Sequence, residues 1–237
     1  MGIQERKERE KEQRKSVIMD CATKIFLAKG FVNSSMEEIA ECSELSKATL
    51  YVYFKNKEEI ILNVMSGVIC KLTELLETSM SGVESAHDKI SMIVEAYIGF
   101  YSEFNAQYEL LSSQETTAGM DFVSLEGYQD YVSQYNKFWE TLCAPIKVAL
   151  EEGILRKDYS AVEIAITLWS SIKGLMQNLD KVVKTQNCPD YQKMVKQKTL
   201  VLSEFQMQLY ALEYKNMLRH LSEAVIKSFK PNQQKRG

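Results

Sequence analysis

Ser46, Lys47, Thr49, Tyr51 and Tyr53 fall inside one short window, Ser46 to Phe54, that contains no Asp or Glu. Hydroxyls both donate and accept hydrogen bonds, and a lysine ammonium donates to anionic oxygens. An exposed, acid-free helix so equipped suits an anionic, hydrogen-bonding partner such as a DNA groove.

A second group is aromatic. Tyr97, Phe100, Tyr101, Phe104, Tyr108, Tyr128, Tyr131, Tyr135, Phe138 and Trp139 crowd one stretch, and Met92, Met120 and Met176 are expected nearby. Apolar walls carrying a few hydroxyls are the usual chemistry of a small-molecule pocket. The competing reading of any one ring is ordinary core packing. The expected lining is Tyr97, Tyr101, Phe104, Tyr131, Tyr135, Trp139, Trp169 and Met176. No cluster of charges marks an ionic ligand, so a neutral lipophilic or aromatic molecule is expected.

Other chemistry lacks its residues. His87 and His220 are isolated, and no HExxH, paired CxxC or His/Cys cluster supports a metal. No GxxxxGK[ST] or GxGxxG motif supports a nucleotide. No base stands near a nucleophile in sequence. A triad scattered along a chain escapes that test, but the expectation is no catalytic residue, no cofactor, no metal and no enzyme.

The polar window needs helices to present it. Val17, Ile18, Cys21, Ala22, Ile25 and Phe26 recur at helical spacing, and Gly30 ends that run. Ser35 with Glu38 forms a capping box that starts a second helix, with Met36, Ile39 and Ala40 inward. Glu44 and Leu45 make a turn, and Ser46 caps a third helix that buries Leu50 and Phe54. Asn56 with Glu59 opens a long amphipathic helix through Ile60, Ile61, Val64, Val68, Leu72 and Leu75. Helical patterns continue over 86–104 and 125–152, with a small polar link at 112–120 and a break at Gly153. Ser160 and Glu163 form another capping box. Val162, Ala165, Ile166, Trp169, Ile172, Met176, Leu179 and Val183 trace an apolar stripe. A loop at 186–190 and a last helix from about 191 to 229 with a basic tail complete the chain. No strand alternation persists, so the expected fold is all-α. The expected domains are 12–72, a helix-turn-helix head, and 73–230, a helical regulatory domain.

Composition sets the frame. The 237 residues suffice for a real core, and Pro and Gly are scarce. Residues 1–57 hold eleven Lys/Arg against nine Asp/Glu, about +2; with a total of -3, the remainder is about -5. That asymmetry is too small to argue for nucleic acid by itself. Glu5 to Lys15 alternates acids and bases, as a solvated helical lead-in does. No apolar run approaches the ~20 residues that span a bilayer, and the charged N-terminus lacks the apolar part of a signal peptide. Five cysteines without CxxC spacing fit a reduced, cytoplasmic compartment, with free thiols packed as small core groups.

Residues 14–74 resemble the TetR family of bacterial transcriptional repressors. The resemblance is carried, in order, by Ile25-Phe26, Lys29-Gly30-Phe31, Met36-Glu37-Glu38-Ile39-Ala40, Ser46-Lys47-Ala48-Thr49-Leu50-Tyr51 and Tyr53-Phe54-Lys55-Asn56-Lys57-Glu58-Glu59. Two positions depart from the family: Glu44 and Ala48 stand where Gly is frequent. The resemblance implies a homodimer with two DNA-binding heads and helical regulatory domains. A bound small molecule would change the separation of the heads. It places DNA contacts on Lys47, Ala48, Thr49, Tyr51, Tyr53 and Lys57, with Ser46 capping the helix beside them. Lys47 and Thr49 can reach base edges or phosphates, and Tyr51 can pack on a thymine methyl. Tyr53 and Lys57 can hold phosphates, contacts that position without specifying; Lys57 also lies near a helix N-terminus, where an anion is favoured. Core packing competes for Tyr51 and Tyr53. The helix from Val162 to Val183 and the one after it look like the family's dimerisation pair, against an intramolecular core as the other reading.

Three functions compete at this level. The first is a ligand-responsive DNA-binding repressor, partnered by an operator duplex, a small-molecule effector and a second copy, with no membrane. The second is a helical enzyme or lipid-binding protein with a vestigial head. The third is a DNA-binding regulator that answers to thiol oxidation. Effector, operator, regulated genes and the choice between repressor and activator are not written in these motifs.

Overall fold

The computed structural model describes residues 2–104, 121–186 and 223–231; expectations for Tyr108, Met120, Cys188, His220, the link at 112–120 and most of the last helix lie outside them. Among the described residues every regular element is a helix: α1 (Ile3–Lys29), α2 (Met36–Cys42), α3 (Lys47–Tyr53), α4 (Lys57–Met80), α5 (Ala86–Glu103), α6 (Tyr128–Glu151) and α7 (Ala161–Gln186). A short helical piece follows at 223–228. None of them is long and apolar enough to cross a membrane.

The chain forms two compact units that interleave in sequence. The first takes Met1–Leu75 and Phe100–Trp139; the second takes Leu76–Gly99 and Glu140–Gly237. The first break lies close to the expected boundary at 72/73, whereas residues 100–139 return to the first unit.

In the first unit, α1, α2 and α3 make a small head. Ile18, Ala22, Phe26, Ile39, Ala40, Leu50 and Phe54 are buried there. Each hidden Ile, Leu or Phe side chain contributes about 1.5–3 kcal/mol over its exposed state. Val17, expected on the inner face of α1, is half exposed instead; it lies at the rim where α1 leaves the head. The N-terminal part of α1 is helical and exposed, with an Arg6–Glu10 ion pair at 3.0 Å one turn apart.

Caps fix where the head's helices begin and end. Ser35 Oγ accepts the Glu38 N–H at 3.3 Å, and Glu38 Oε2 accepts the Ser35 N–H at 3.0 Å, so two orphan donors are satisfied reciprocally. Ser46 Oγ accepts the Thr49 N–H at 3.1 Å and starts α3. Between α2 and α3, the Leu45 N–H donates to the Ala40 carbonyl and the Glu44 N–H to the Glu41 carbonyl. That paired pattern requires a left-handed residue at its centre, and Glu44 occupies it at φ 56°. The end of α6 has the same pair of bonds, from Ile154 to Ala149 and from Gly153 to Leu150, with Gly153 at φ 73°.

One expectation about cysteine fails. Cys21 on α1 and Cys42 at the end of α2 are joined as a disulfide, their Cα atoms 5.7 Å apart. The packing of α1 on α2 brings them within bonding range, although they are 21 apart in sequence. Cys70 and Cys143 are free thiols, and burial raises the pKa of both.

The apolar residues of α7 divide between inside and outside. Ala161, Ile164, Ala165, Leu168 and Ile172 are buried, whereas Val162 and Ile166 are 52% and 47% exposed. Among the described residues, apolar side chains thus occupy more than one face of this helix. The Ser160/Glu163 capping box forms, with Glu163 N–H to Ser160 Oγ at 3.2 Å and Ser160 N–H to Glu163 Oε2 at 2.7 Å.

Candidate nucleic-acid interface

On α3, Leu50 is fully buried and Phe54, just past its end, is nearly so. Residues two positions from Leu50 therefore point away from the core. Ser46, Lys47 and Ala48 are exposed, Thr49 and Tyr53 half-buried. Tyr51 is 49% exposed and Val52 82%. The free face of α3 thus carries an ammonium, hydroxyls and an aliphatic group, with no acid of its own. Val52 was not singled out from sequence; the Leu50/Phe54 spacing was the signal that turns it outward.

The cations of this region differ in how they are held. Lys47 pairs across to Glu37 on α2, and its ammonium lowers the Glu37 pKa through their hydrogen bond. Both side chains are about half exposed, so the pair is worth little to stability. Its effect is to hold the ammonium at the α2–α3 edge. Lys55 pairs with Glu126 in the segment before α6, which raises the lysine's pKa and lowers the acid's. A polar cavity of about 350 Å³ adjoins that pair, lined in part by Tyr51, Tyr53, Glu59 and Asp130.

Lys57 is engaged differently from the phosphate contact expected of it. Its Nζ donates to the carbonyls of Phe31 at 2.7 Å, Val32 at 3.2 Å and Ser34 at 3.1 Å. It also lies 4.5 Å from the centroid of the Phe31 ring. An ammonium has three N–H donors, and all three are accounted for within the loop between α1 and α2.

The aromatic residues separate into two groups. In the first unit, Tyr128, Tyr131, Tyr135 and Trp139 form a ladder along α6 with centroid spacings of 6.4, 6.1 and 6.2 Å. Burial raises the Tyr131 pKa, reinforced by its tyrosine neighbours. Phe104 stacks on Phe100 at 4.8 Å, and Tyr101 is buried. In the second unit, Tyr97 is buried and meets Trp169 edge-on at 4.4 Å. Met176 is on α7, with its side chain outside the described set. A further cavity of about 380 Å³ is lined by Met80, Ala86, Pro145 and Val148 among others, and by none of these aromatics. Among the described residues no group of three or more His, Cys, Asp or Glu is placed to hold a metal ion.

Comparison with known proteins bears on the head first. Residues 18–64 match the family described as bacterial regulatory proteins, tetR family. Over 86 residues the chain is 31% identical to the HTH-type transcriptional regulator YhgD of Bacillus subtilis (strain 168), itself uncharacterized; the match covers 35% of this chain and 45% of that relative. The likeness to curated relatives of this kind thus spans about half their length. Among solved structures, the fatty acid degradation regulator FadR of Bacillus halodurans superposes with a TM-score of 0.63 at 13% identity, covering 94% of this chain and 97% of that one. AibR, solved with isovaleryl coenzyme A and operator DNA, gives 0.54 at 17% identity, covering 65% and 80%. At these identities the structures speak for the fold: a three-helix head followed by a helical C-terminal domain.

Proposed function

We propose that the chain, whose residues 18–64 match bacterial regulatory proteins of the tetR family, is a cytoplasmic, ligand-responsive DNA-binding repressor. The observation that carries the reading is the free face of α3: exposed, acid-free and anchored from behind by Leu50. Ser46, Lys47, Ala48, Thr49, Tyr51 and Tyr53 meet the duplex, with Lys47 and Thr49 at base edges or phosphates and Tyr51 on a thymine methyl. The exposed Val162 and Ile166 support a homodimer, since a second copy laid along α7 would cover them. Two heads then predict an operator with approximate two-fold symmetry.

Selection from random DNA tests this. A two-fold site whose affinity falls steeply with salt is expected, because phosphate contacts release counterions. Recovery of no preferred sequence would refute it. Lys47→Ala should shift the selected sequence.

The effector reading is a lipophilic molecule among the aromatic residues of the first unit, Tyr101, Phe104, Tyr131, Tyr135 and Trp139. Two fold neighbours, a fatty acid degradation regulator and a regulator solved with isovaleryl coenzyme A, favour an acyl group over a purely aromatic one. A coupling of ~1–3 kcal/mol would lower operator affinity about 5- to 150-fold. Such a ligand acts only through different affinities for the two states. Acyl compounds that bind and leave operator affinity unchanged would not be the effector.

A second reading, thiol-redox response, is favoured by the Cys21–Cys42 pair in the head. Cys42 is exposed and Cys21 buried, so a dithiol reductant would attack the Cys42 sulfur first and release Cys21 as the thiol. Operator affinity that is the same before and after reduction, and the same in Cys42→Ser, would remove it.

A further inference from the structure

We propose that Lys57 is a positioning residue: it ties the start of α4 to the loop that leads into α2, and DNA affinity depends on that tie although Lys57 itself touches no phosphate. The inference rests on the head being a DNA reader, and it concerns how that head is held in reading posture.

Lys57 is the first residue of α4. The register of that first turn is set by the Glu59 N–H donating to Asn56 Oδ1 at 2.8 Å and by the Lys55 N–H donating to Glu59 Oε2 at 2.7 Å. Glu59 is only 7% exposed, so the turn is held from inside. From it the Lys57 side chain reaches the carbonyls of Phe31, Val32 and Ser34. The loop carrying them is already closed on itself: the Ser34 hydroxyl and N–H both donate to the Phe31 carbonyl, at 2.6 and 3.3 Å. Phe31 anchors the loop from beneath, 5.2 Å from Phe26 ring to ring.

Ser35, the very next residue, is the N-cap of α2, and its partner Glu38 is held in turn by Lys29. A chain of direct bonds therefore runs from the first residue of α4, through three carbonyls, to the first turn of α2, the helix that supports α3. The start of α4 is thus tied to the head twice, through this chain to α2 and through residues 54–56 to α3.

The geometry is specific to lysine. Three convergent carbonyls match the three rotatable donors of an ammonium, whereas a guanidinium presents its donors in one rigid plane. Arginine would serve a phosphate as well as lysine or better. The two roles therefore predict opposite outcomes for Lys57→Arg.

The experiment compares wild type, Lys57→Arg and Lys57→Met on a duplex selected from random DNA by the wild type, across a salt series, well below each protein's melting temperature. Backbone hydrogen exchange is measured on the free proteins. For both variants the expected result is a loss of affinity of about tenfold, on the scale of one charge-assisted hydrogen bond, with an unchanged salt slope. Faster exchange at the Ser34, Ser35 and Glu38 amides should accompany it. Wild-type affinity in Lys57→Arg would overturn the proposal, as would a salt slope shallower by about 0.9 per head in Lys57→Met, the signature of a lost phosphate contact. Wild-type affinity in both folded variants would reduce Lys57 to a purely structural role and also overturn it. A wild type that selects no duplex would sink the DNA-reading premise instead, and the exchange pattern would still report on the clamp.

Discussion

The head and the aromatic ladder of α6 hold their shapes by different means. In the head, apolar side chains are hidden and helix ends are pinned by named donors and acceptors: Ser35 with Glu38, Ser46 with Thr49, Lys57 with three carbonyls. On α6, Tyr128, Tyr131 and Tyr135 stack one turn apart, Trp139 meets Tyr135 edge-on, and Tyr135 is 41% exposed. Directional bonds fix where the head's helices begin and end. Ring contacts hold the ladder by the aromatic area they cover. The contrast implies that substitutions in the head act through geometry, and those in the ladder through area.

The largest expected effect is Leu50→Ala, which empties the space behind α3. It should destabilise the head by about 2–5 kcal/mol in denaturant unfolding. Tyr135→Ala should cost less than Leu50→Ala, since that ring is already 41% exposed whereas Leu50 is fully buried. An equal loss in the two would erase the distinction. Ser35→Ala should cost about 1 kcal/mol through the lost cap. Glu44→Gly runs the other way: it relieves a side chain held at positive φ and should stabilise the head by about 0.5–1 kcal/mol. Gly153→Ala, at the matching turn of α6, should destabilise by a similar amount.

The smallest effect is on pH dependence. The Lys29 ammonium, with help from Ser35, lowers the Glu38 pKa below its ordinary 4.5. A carboxylate depressed on folding stabilises fully above that ordinary value and loses its contribution as pH falls through the folded value. Glu38→Gln should therefore shrink the drop in melting temperature between neutral pH and pH 3. A drop as steep as in wild type would show that the capping carboxylate carries no linkage.

Much of this was legible in the sequence, and the failures have physical causes. Ser35/Glu38, Ser46, Gly30 and Leu50 are local signals, set by spacings of a few residues, and they recur as bonds and buried contacts. Cys21 and Cys42 meet only because α1 packs on α2, a fact absent from their spacing. At Lys57 the sequence shows a charge but not the loop carbonyls of Phe31, Val32 and Ser34 that its ammonium meets. On α7 the helical period was clear, yet apolar residues on more than one face left the phase open. The aromatic set was readable as a group, but not its division between two units.

One consequence of Val52 lies in calorimetry. At 82% exposure it keeps aliphatic surface in water on the same short helix as the ammonium of Lys47 and the ring of Tyr51. Removing apolar surface from water lowers heat capacity. A duplex held through phosphates alone would leave the heat capacity of binding near zero. One whose thymine methyls cover Val52 should give a binding enthalpy that grows more negative on warming, with a slope that flattens in Val52→Ser.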